Sequence, residues 1–327
     1  MGSVRGCKTK SPHIKQKYEE VKGREGLLDC IMSEYVISTC TTCDLSKELL
    51  DNRIIKYVLF HYTKNGVNFD DDLYQTVSPE SFYESMTDGA EMKTSQVNTV
   101  EFMDFFTQFL THGKDVIHVS LSSGISGVYS AAKTAAAELQ PLFPDRKIYV
   151  VDSLAASSGM GLLIDKMADL RDEGMPIEEL HTWVEENKLR LHHWFFTSDL
   201  TFFVKGGRVS KVSGALGGML GICPLLNVSN TGKLIPRAKI RPKKKVIVET
   251  VNRMEEHAEN GLEYSGKVFL SHSNCIEDAK AVTDLVESRF KNIQGGKVEI
   301  FNIGTVIGSH TGPGTVALFF WGDKRKD

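Results

Sequence analysis

Hydroxyl side chains gather directly behind several apolar runs of this sequence. Residues 122–127 (SSGISG) follow the run 116–121, and Asp152-Ser153 follow the run 147–151. Free amide groups at a helix N-terminus and the helix dipole attract negative charge, and hydroxyls beside glycines add further donors. These loops therefore predict a site for an oxyanion. For any single loop, ordinary helix capping and turn formation remain the alternative.

Ser126 allows a second interpretation, as a nucleophile. The nucleophile elbow of α/β-hydrolases requires Gly-x-Ser-x-Gly, whereas Val128 stands where the last glycine belongs. A serine nucleophile also needs a base, for which His118, His272 and His310 are candidates. A serine esterase or acyl hydrolase that uses Ser126 is therefore kept as the alternative function.

Cys40 and Cys43 form a Cys-x-x-Cys pair behind the first predicted strand. Redox proteins place such pairs in this position, but small thiols also pack well in a core. A zinc site built on this pair would need a second one, and the remaining cysteines, at positions 7, 30, 223 and 275, form no such pair. We therefore favour packing over a redox or metal site.

Six bases lie within nine residues, at Arg237, Lys239, Arg241, Lys243, Lys244 and Lys245. Nucleic-acid binding usually adds aromatic side chains and a basic overall charge. This segment has no interleaved aromatic residue, and the net charge of the chain is −3. We expect a solvated surface and no nucleic-acid partner, with one of these bases available to a bound anion.

Residues 214–226 (GALGGMLGICPLL) combine apolar character with little side-chain bulk. Their glycines match neither a Walker loop nor a dinucleotide-binding pattern. Two interpretations stay open, close packing between elements and a smooth wall for an alkyl chain.

The elements that must hold these residues alternate in the first half of the chain. Strands are predicted at 34–37, 54–60, 116–121 and 147–151, and helices at 129–139 and 157–171. The best-marked helix starts after Asn98, with Glu101 in the capping position, and has an aromatic face that should pack on a sheet. Strands that alternate with helices predict parallel β-α-β units in a doubly wound sheet, which binds ligands beyond the carboxyl ends of its strands.

The pattern changes after about residue 190. Strand-like runs recur at 268–270, 298–306 and 315–321, with one clear helix at 276–290. We predict an α/β fold with an arm of residues 1–33, a Rossmann-like parallel-sheet domain of residues 34–155 and a second, α+β domain of residues 156–327. The ligand is expected at the interface of the two domains.

The composition is that of an ordinary globular protein, with 41% hydrophobic and 25% charged residues in 327. No run approaches the ~18 apolar residues that span a bilayer. The N-terminus is Lys-rich and lacks the apolar stretch of a secretory signal. Scattered cysteines fit a reducing compartment, so we expect a cytoplasmic protein.

Five segments resemble the DegV family in order and spacing. They are 93–96 (KTSQ), 122–127 (SSGISG), 151–153 (VDS), 199–210 (DLTFFVKGGRVS) and 308–314 (GSHTGPG). The resemblance covers about residues 35–320. It implies a bacterial protein that buries one long-chain fatty acid, such as palmitate or oleate, between two domains. It also implies that the carboxylate is presented to a separate, ATP-binding subunit of a fatty acid kinase.

The same resemblance implies the roles of individual residues. The carboxylate would be held by Thr94, Ser95, Ser126, Gly127, His310 and Arg241. Arg208, which follows Gly206-Gly207, would project outward at the mouth and face the kinase subunit. The family further implies no catalysis by this chain alone, no cofactor, no metal and only transient contact with a membrane.

Two positions depart from the family's pattern. Cys40 stands where an Asp is usual, although Asp44-Leu45 is kept. Cys223 precedes Pro224, where a Lys is common. Both changes remove charge near the expected cleft.

Overall fold

The computed structural model describes residues 35–210 and 222–326. The predicted arm, residues 1–33, lies outside the described residues. So do residues 211–221, which include most of the glycine-rich stretch.

The elements are named in chain order within the described residues. The strands are β1 (Tyr35–Cys40), β2 (Lys56–Val58), β3 (His61–Lys64), β4 (Val67–Asp70), β5 (Met92–Ser95), β6 (Asp115–Ser120), β7 (Ile148–Asp152), β8 (Leu191–Thr197), β9 (Cys223–Val228), β10 (Leu234–Ile240), β11 (Phe269–His272), β12 (Glu299–Asn302) and β13 (Thr315–Trp321). The helices are α1 (Lys47–Asn52), α2 (Pro79–Thr87), α3 (Thr99–Leu110), α4 (Val128–Leu139), α5 (Ser157–Asp172), α6 (Ile177–Asn187), α7 (Thr201–Lys205), α8 (Lys243–His257), α9 (Ile276–Arg289) and α10 (Thr305–Thr311).

The first sheet is the predicted parallel one. Its strand order is β2-β1-β6-β7, and every pair is parallel. Helices α3 and α4 pack together against it as one pair, and α5 and α6 as another. The aromatic face of α3 meets the sheet at His118, whose ring lies 5.1 Å from that of Phe102 and 5.4 Å from that of Phe106. The α/β prediction for the first half is confirmed.

The second sheet has six strands in the order β10-β9-β8-β13-β11-β12. All pairs are antiparallel except β11 with β12. Every residue of β8 is buried, because α8 and α5 both pack against this central strand. Strands and helices mix in this half as the α+β prediction requires.

A third, three-stranded antiparallel sheet in the order β4-β3-β5 was not predicted. Its hairpin turns at Asn65 and Gly66, which both adopt positive φ, at 52° and 82°. A two-residue turn of this kind matches the twist of antiparallel strands. The sheet matters because β5 carries Thr94 and Ser95.

One strand prediction in the second half was wrong. Residues 298–306 are not one strand, because β12 ends at Asn302 and α10 begins at Thr305. The solvated surface expected for the basic segment is confirmed, since all six bases are exposed. The segment also contains an element that was not predicted, because Lys243 begins the fifteen-residue helix α8. The helix is buried through Val246, Thr250, Val251 and Met254, a narrow apolar stripe among polar residues.

Helix α5 packs on both large sheets, against β1 of the first and against β8, β11 and β13 of the second. One cluster of buried apolar residues accordingly runs from Tyr35 to Phe319. The division of the chain at residue 155 stays a prediction. Within the described residues, no helix is long and apolar enough to cross a membrane.

The capping box at the start of α3 can be tested by mutation. Asn98 Oδ1 accepts hydrogen bonds from the amides of Val100 (2.9 Å) and Glu101 (3.1 Å), and Glu101 Oε2 accepts one from the amide of Asn98 (2.7 Å). We expect Asn98→Ala to lower the free energy of unfolding by about 1 kcal/mol, because capped amides lose their acceptor. Urea denaturation measures this loss, with Gln108→Ala, exposed on the same helix, as the control. Equal stability of the two variants would contradict the capping role.

Candidate functional site

A cavity of about 420 Å³ opens between the first and second sheets. Its volume falls in the range of small-molecule sites. The polar part of the lining comprises Thr94, Ser95, Gln96, Ser126, Gly127, Arg208 and His310. The apolar part includes Phe60, Leu121, Ile125, Phe195, Phe203, Val228, Leu234, Val306, Ile307, Ala317 and Phe319. The cavity therefore has a polar cluster continuous with an apolar chamber.

Thr94 and His310 make the central contact of the polar cluster. Thr94 Oγ1 lies 2.7 Å from His310 Nε2. Strand β5 supplies the threonine and α10 supplies the histidine, and these two elements pack against each other. The sequence separation of the pair is 216 residues, so the tertiary fold alone creates the contact.

Arg208 continues this cluster on the other side of the imidazole. Its Nη1 lies 3.3 Å from His310 Nδ1 and also donates to the carbonyl of Gly206 at 2.5 Å, while Nε donates to the carbonyl of Ile125 at 3.2 Å. A guanidinium only donates, so Nδ1 accepts and the proton of a neutral ring lies on Nε2. That Nε2–H then donates to Thr94, which leaves the threonine O–H free to donate to a ligand.

The protonation state of His310 supports this relay. Burial, with the charge of Arg208 as the second cause, lowers the pKa of His310 to about 4. The ring is therefore neutral at pH 7. It accepts a hydrogen bond from Arg208 at Nδ1 and donates one to Thr94 from Nε2. Burial also lowers the pKa of Arg208, but a guanidinium is so strong a base that it stays charged at pH 7.

Arg208 differs from its predicted orientation. Gly207 has a positive φ of 73° and forms the predicted turn. The guanidinium does not project outward, because its three contacts fold it back over Ile125 and His310. The side chain is half-buried at the rim of the cavity.

Ser126 and Gly127 lie at the start of α4, across the polar cluster. Ser126 Oγ accepts a hydrogen bond from the amide of Val128 at 3.2 Å and donates to Oε1 of Gln96 at 3.3 Å. A Cβ at Gly127 would lie 3.1 Å from that same Gln96 oxygen. Gln96 was missed as a site residue, although it closes the KTSQ motif.

The loop that leads into α10 is held by buried groups of the first half. Tyr74 and Tyr83 both donate to the carbonyl of Ile303, at 2.5 and 2.8 Å. Thr305 Oγ1 donates to Oδ1 of Asp71 at 2.8 Å. A Cβ at Gly304 would lie 2.7 Å from Oδ1 of Asp44, so glycine permits this close approach.

Asp44 also ties α5 into the arrangement. Ser157 Oγ donates to Oδ2 of Asp44 at 2.5 Å and lies 3.0 Å from Ser271 Oγ. Burial raises the pKa of Asp44 well above its ordinary value, and the bond from Ser157 only partly opposes this effect. Ser157 itself lines the cavity, so this network reaches the cavity wall.

Arg241 does not join the site. It follows β10, is exposed, and is not among the residues that line the cavity. The remaining predicted site residues, Ser95 among them, do line it.

His193 lines the apolar chamber and was missed by the sequence analysis. A Cβ at Gly159 would lie 2.3 Å from its Nε2, so that glycine makes room for the ring. Burial lowers its pKa well below the ordinary value, and the Leu191 carbonyl offsets this only slightly. Among the described residues neither ring nitrogen has a partner in hydrogen-bond geometry, so the imidazole contributes a neutral wall.

The hydrolase arrangement is not formed. None of the three candidate bases is hydrogen-bonded to Ser126 within the described residues. His118 contacts Ser38 and Cys40 in the core, and His272 accepts from the amide of Cys275. His310 is engaged by Thr94 and Arg208.

The Cys40–Cys43 pair fits packing. Both residues are buried and free, and Cys40 Sγ lies 3.6 Å from His118 Nε2. Burial raises the pKa of the Cys40 thiol and raises that of Cys43 to about 12. Reactive thiols need a lowered pKa, so these are core residues.

The contact between Arg208 and His310 predicts a titration. At pH 7 His310 of the ligand-free protein should be neutral, with a pKa of about 4 by NMR. Arg208→Gln should raise that pKa because it removes a positive charge beside Nδ1. Arg237→Gln, which removes a cation bonded to Asn227 instead, should leave it unchanged. An ordinary pKa near 6.5 in the wild type would contradict the buried geometry.

Comparison with known proteins identifies one family for this chain. The model of the DegV family of uncharacterised proteins matches residues 35–323. A DegV domain-containing protein of Clostridium perfringens is 34% identical over 297 residues, which are 90% of this chain and 100% of the relative. The crystal structure of a DegV lipid-binding protein from Thermotoga maritima is similar, with a TM-score of 0.75 and 27% identity over 90% of this chain and 100% of that one.

A third similar structure is the Streptococcus pneumoniae fatty acid kinase B3 protein loaded with linoleic acid. Its TM-score is 0.76 and its identity 21%, over 89% of this chain and 100% of that one. At this identity the likeness shows the fold alone. The family match and the clostridial relative carry the assignment, and the resemblance stated from five short motifs is confirmed: this chain is a member of the DegV family.

Proposed function

We propose that this protein binds one long-chain fatty acid and presents its carboxylate to a separate, ATP-dependent kinase subunit. The observation that carries the proposal is the cavity, in which a cluster of hydrogen-bond donors adjoins an apolar chamber. The proposal places the protein in the cytoplasm, where such a subunit finds ATP. Relatives that bind lipid, and the kinase B3 protein among them, support it.

The apolar chamber supplies the affinity. Burial of alkyl groups contributes ~0.8 kcal/mol per CH₂, so a chain of palmitate length gains on the order of 10 kcal/mol before the cost of association. Phe195, Phe203, Ala317 and Phe319 provide this wall. The wall selects for an alkyl chain and makes a free inorganic anion a poor ligand.

The polar cluster meets the carboxylate. A buried carboxylate is very costly unless several donors satisfy it. Thr94 offers the hydroxyl proton that His310 leaves free, and Ser126 and the backbone around Gly127 lie at the positive end of α4. Arg208 lines the same cluster and adds positive charge beside the neutral imidazole of His310. One acid oxygen can thus remain accessible at the rim.

The binding function predicts an effect of Thr94→Val, which keeps the shape and removes the hydroxyl. We expect native mass spectrometry of the wild type to show one co-purified fatty acid per chain. Thr94→Val should weaken oleate binding by about 1–3 kcal/mol, roughly a 5- to 150-fold rise in Kd, since the carboxylate loses a donor. Fluorescent fatty acid titration measures this change. The control is Thr99→Val, at the first residue of α3 and outside the cavity lining. A wild type that neither carries nor takes up fatty acid would refute the function.

The presentation role predicts a different outcome for Arg208. Its guanidinium at the rim can offer a planar set of donors to a partner's carboxylate or to a forming acyl phosphate once it exchanges its contacts with the carbonyls of Gly206 and Ile125. We expect Arg208→Ala to bind fatty acid within a fewfold of the wild type, yet to support little acyl phosphate formation with a kinase subunit and ATP. Arg208→Lys should rescue this poorly, because an ammonium lacks the bidentate geometry. Unchanged phosphorylation, or complete loss of lipid binding, would show that the role is wrong.

A further inference from the structure

A second cluster of chemistry-bearing side chains lies away from the fatty acid cavity. His192 belongs to β8, His257 is the last residue of α8, and Asp323 follows β13. Successive side chains of a strand point to opposite faces. His193 lines the cavity, so His192 points to the other face of the second sheet, toward α8.

The two imidazoles both lie close to one carboxylate oxygen of Asp323. Oδ1 of Asp323 lies 3.1 Å from His192 Nε2 and 3.3 Å from His257 Nδ1. All three potential ligand atoms lie within 4.8 Å of one another. Zinc–nitrogen and zinc–oxygen bonds of ~2.0–2.1 Å in a tetrahedron place neighbouring ligand atoms ~3.3–3.4 Å apart. Two edges of the cluster are therefore already close to that length.

We propose that His192, His257 and Asp323 bind a divalent transition-metal cation, with Zn²⁺ the best match, and that water completes the tetrahedron. Imidazole and carboxylate are the ligand types that suit this ion. The His192 side chain is 5% exposed, whereas that of Asp323 is 49% exposed, so one side of the cluster is buried and the other open to solvent. An open fourth position is what a bound water requires.

The surroundings hold the three residues in register. The amide of Asp323 donates to the carbonyl of His257 at 3.0 Å, and that of Gly322 donates to the carbonyl of Arg190 at 2.8 Å. Stacking on Phe320 at 5.2 Å and 4° fixes the His192 ring. Backbone pairing and ring stacking therefore bring the ligands together before any ion arrives, which lowers the entropic cost of binding it.

Metal binding requires two local changes, one at the His257 ring and one at His192 Nε2. The two imidazole planes lie 15° apart with their centres separated by 4.9 Å, so their lone pairs do not yet meet at one point. His257, whose side chain is 25% exposed, has to turn about its ring bond, away from its stack on Trp194. His192 Nε2, now 2.9 Å from the carbonyl oxygen of Asp323, exchanges that contact for the ion. A metal here would fasten the C-terminal segment to α8 and β8.

Metal titration of the full chain tests the site. We expect metal-free wild type to bind one Zn²⁺ per chain in calorimetry and to rise in Tm with added Zn²⁺. Co²⁺ at the same site should give the visible spectrum of a four-coordinate ion with nitrogen and oxygen ligands. His257→Gln and Asp323→Asn should each weaken binding at least tenfold. His112→Gln removes an exposed histidine of another region and should change nothing.

Three results would overturn the site. They are no stoichiometric binding by the wild type, an affinity in both cluster variants equal to that of the wild type, or a Co²⁺ spectrum with the charge-transfer bands of thiolate ligands. The last would show that the ion sits on cysteines. The Co²⁺ spectrum of the wild type decides the question even where a variant folds poorly. The fatty acid titration is independent of all three, because the cluster lies on the face opposite the cavity.

Discussion

The attachment of α10 to the first half of the chain is the interaction on which the binding site depends. Tyr74 and Tyr83 hold the Ile303 carbonyl just before this short helix, and Asp71 holds Thr305, its first residue. The helix has seven residues and would be marginal alone. Fixing its first turn to the first half fixes where His310 stands one and a half turns later. Since partners left unpaired in such a buried network are costly, the position is well determined.

The electrostatics of the cleft depend on the contact between the Arg208 guanidinium and the His310 ring. A cation in direct contact with a buried carboxylate would form an ion pair whose desolvation offsets much of its attraction. Here Arg208 lines the cavity with its guanidinium held against a neutral imidazole, and the other donors of the cluster are uncharged hydroxyls and amides. Such a site can bind an acid while leaving it exchangeable. A carrier needs that balance more than it needs maximal affinity.

Much of the fold could be predicted because its signals are local. The capping box predicted the start of α3. The alternation of strands and helices in the first half predicted the parallel sheet. The short β3, β4 and β5 strands could not be found, since β4 is exposed along its length and has no apolar alternation. The strand and helix at residues 298–306 share one run of the sequence, and only Ile303 and Gly304 lie between them. Helix α8 was not predicted, because the lysines at its start were interpreted only as part of a solvated surface.

The site was predictable in part, and for a different reason. Thr94, Ser126, Arg208 and His310 were identified because the motifs around them resemble a family, and the structure brings them together. Gln96, Ser157 and His193 are single polar residues whose roles arise only from long-range packing. Arg241 shows the converse, because a motif position transferred by resemblance lies on the surface in this chain.

The contact between Thr94 and His310, 216 residues apart in the chain, also has a consequence for biosynthesis. Contacts of such high sequence separation form late in folding, because the chain must first be closed into a long loop. On the ribosome, residues up to Ser126 can fold long before His310 has emerged. A nascent or truncated chain thus lacks the completed cluster, and retention of a fatty acid marks a molecule whose synthesis and folding are finished.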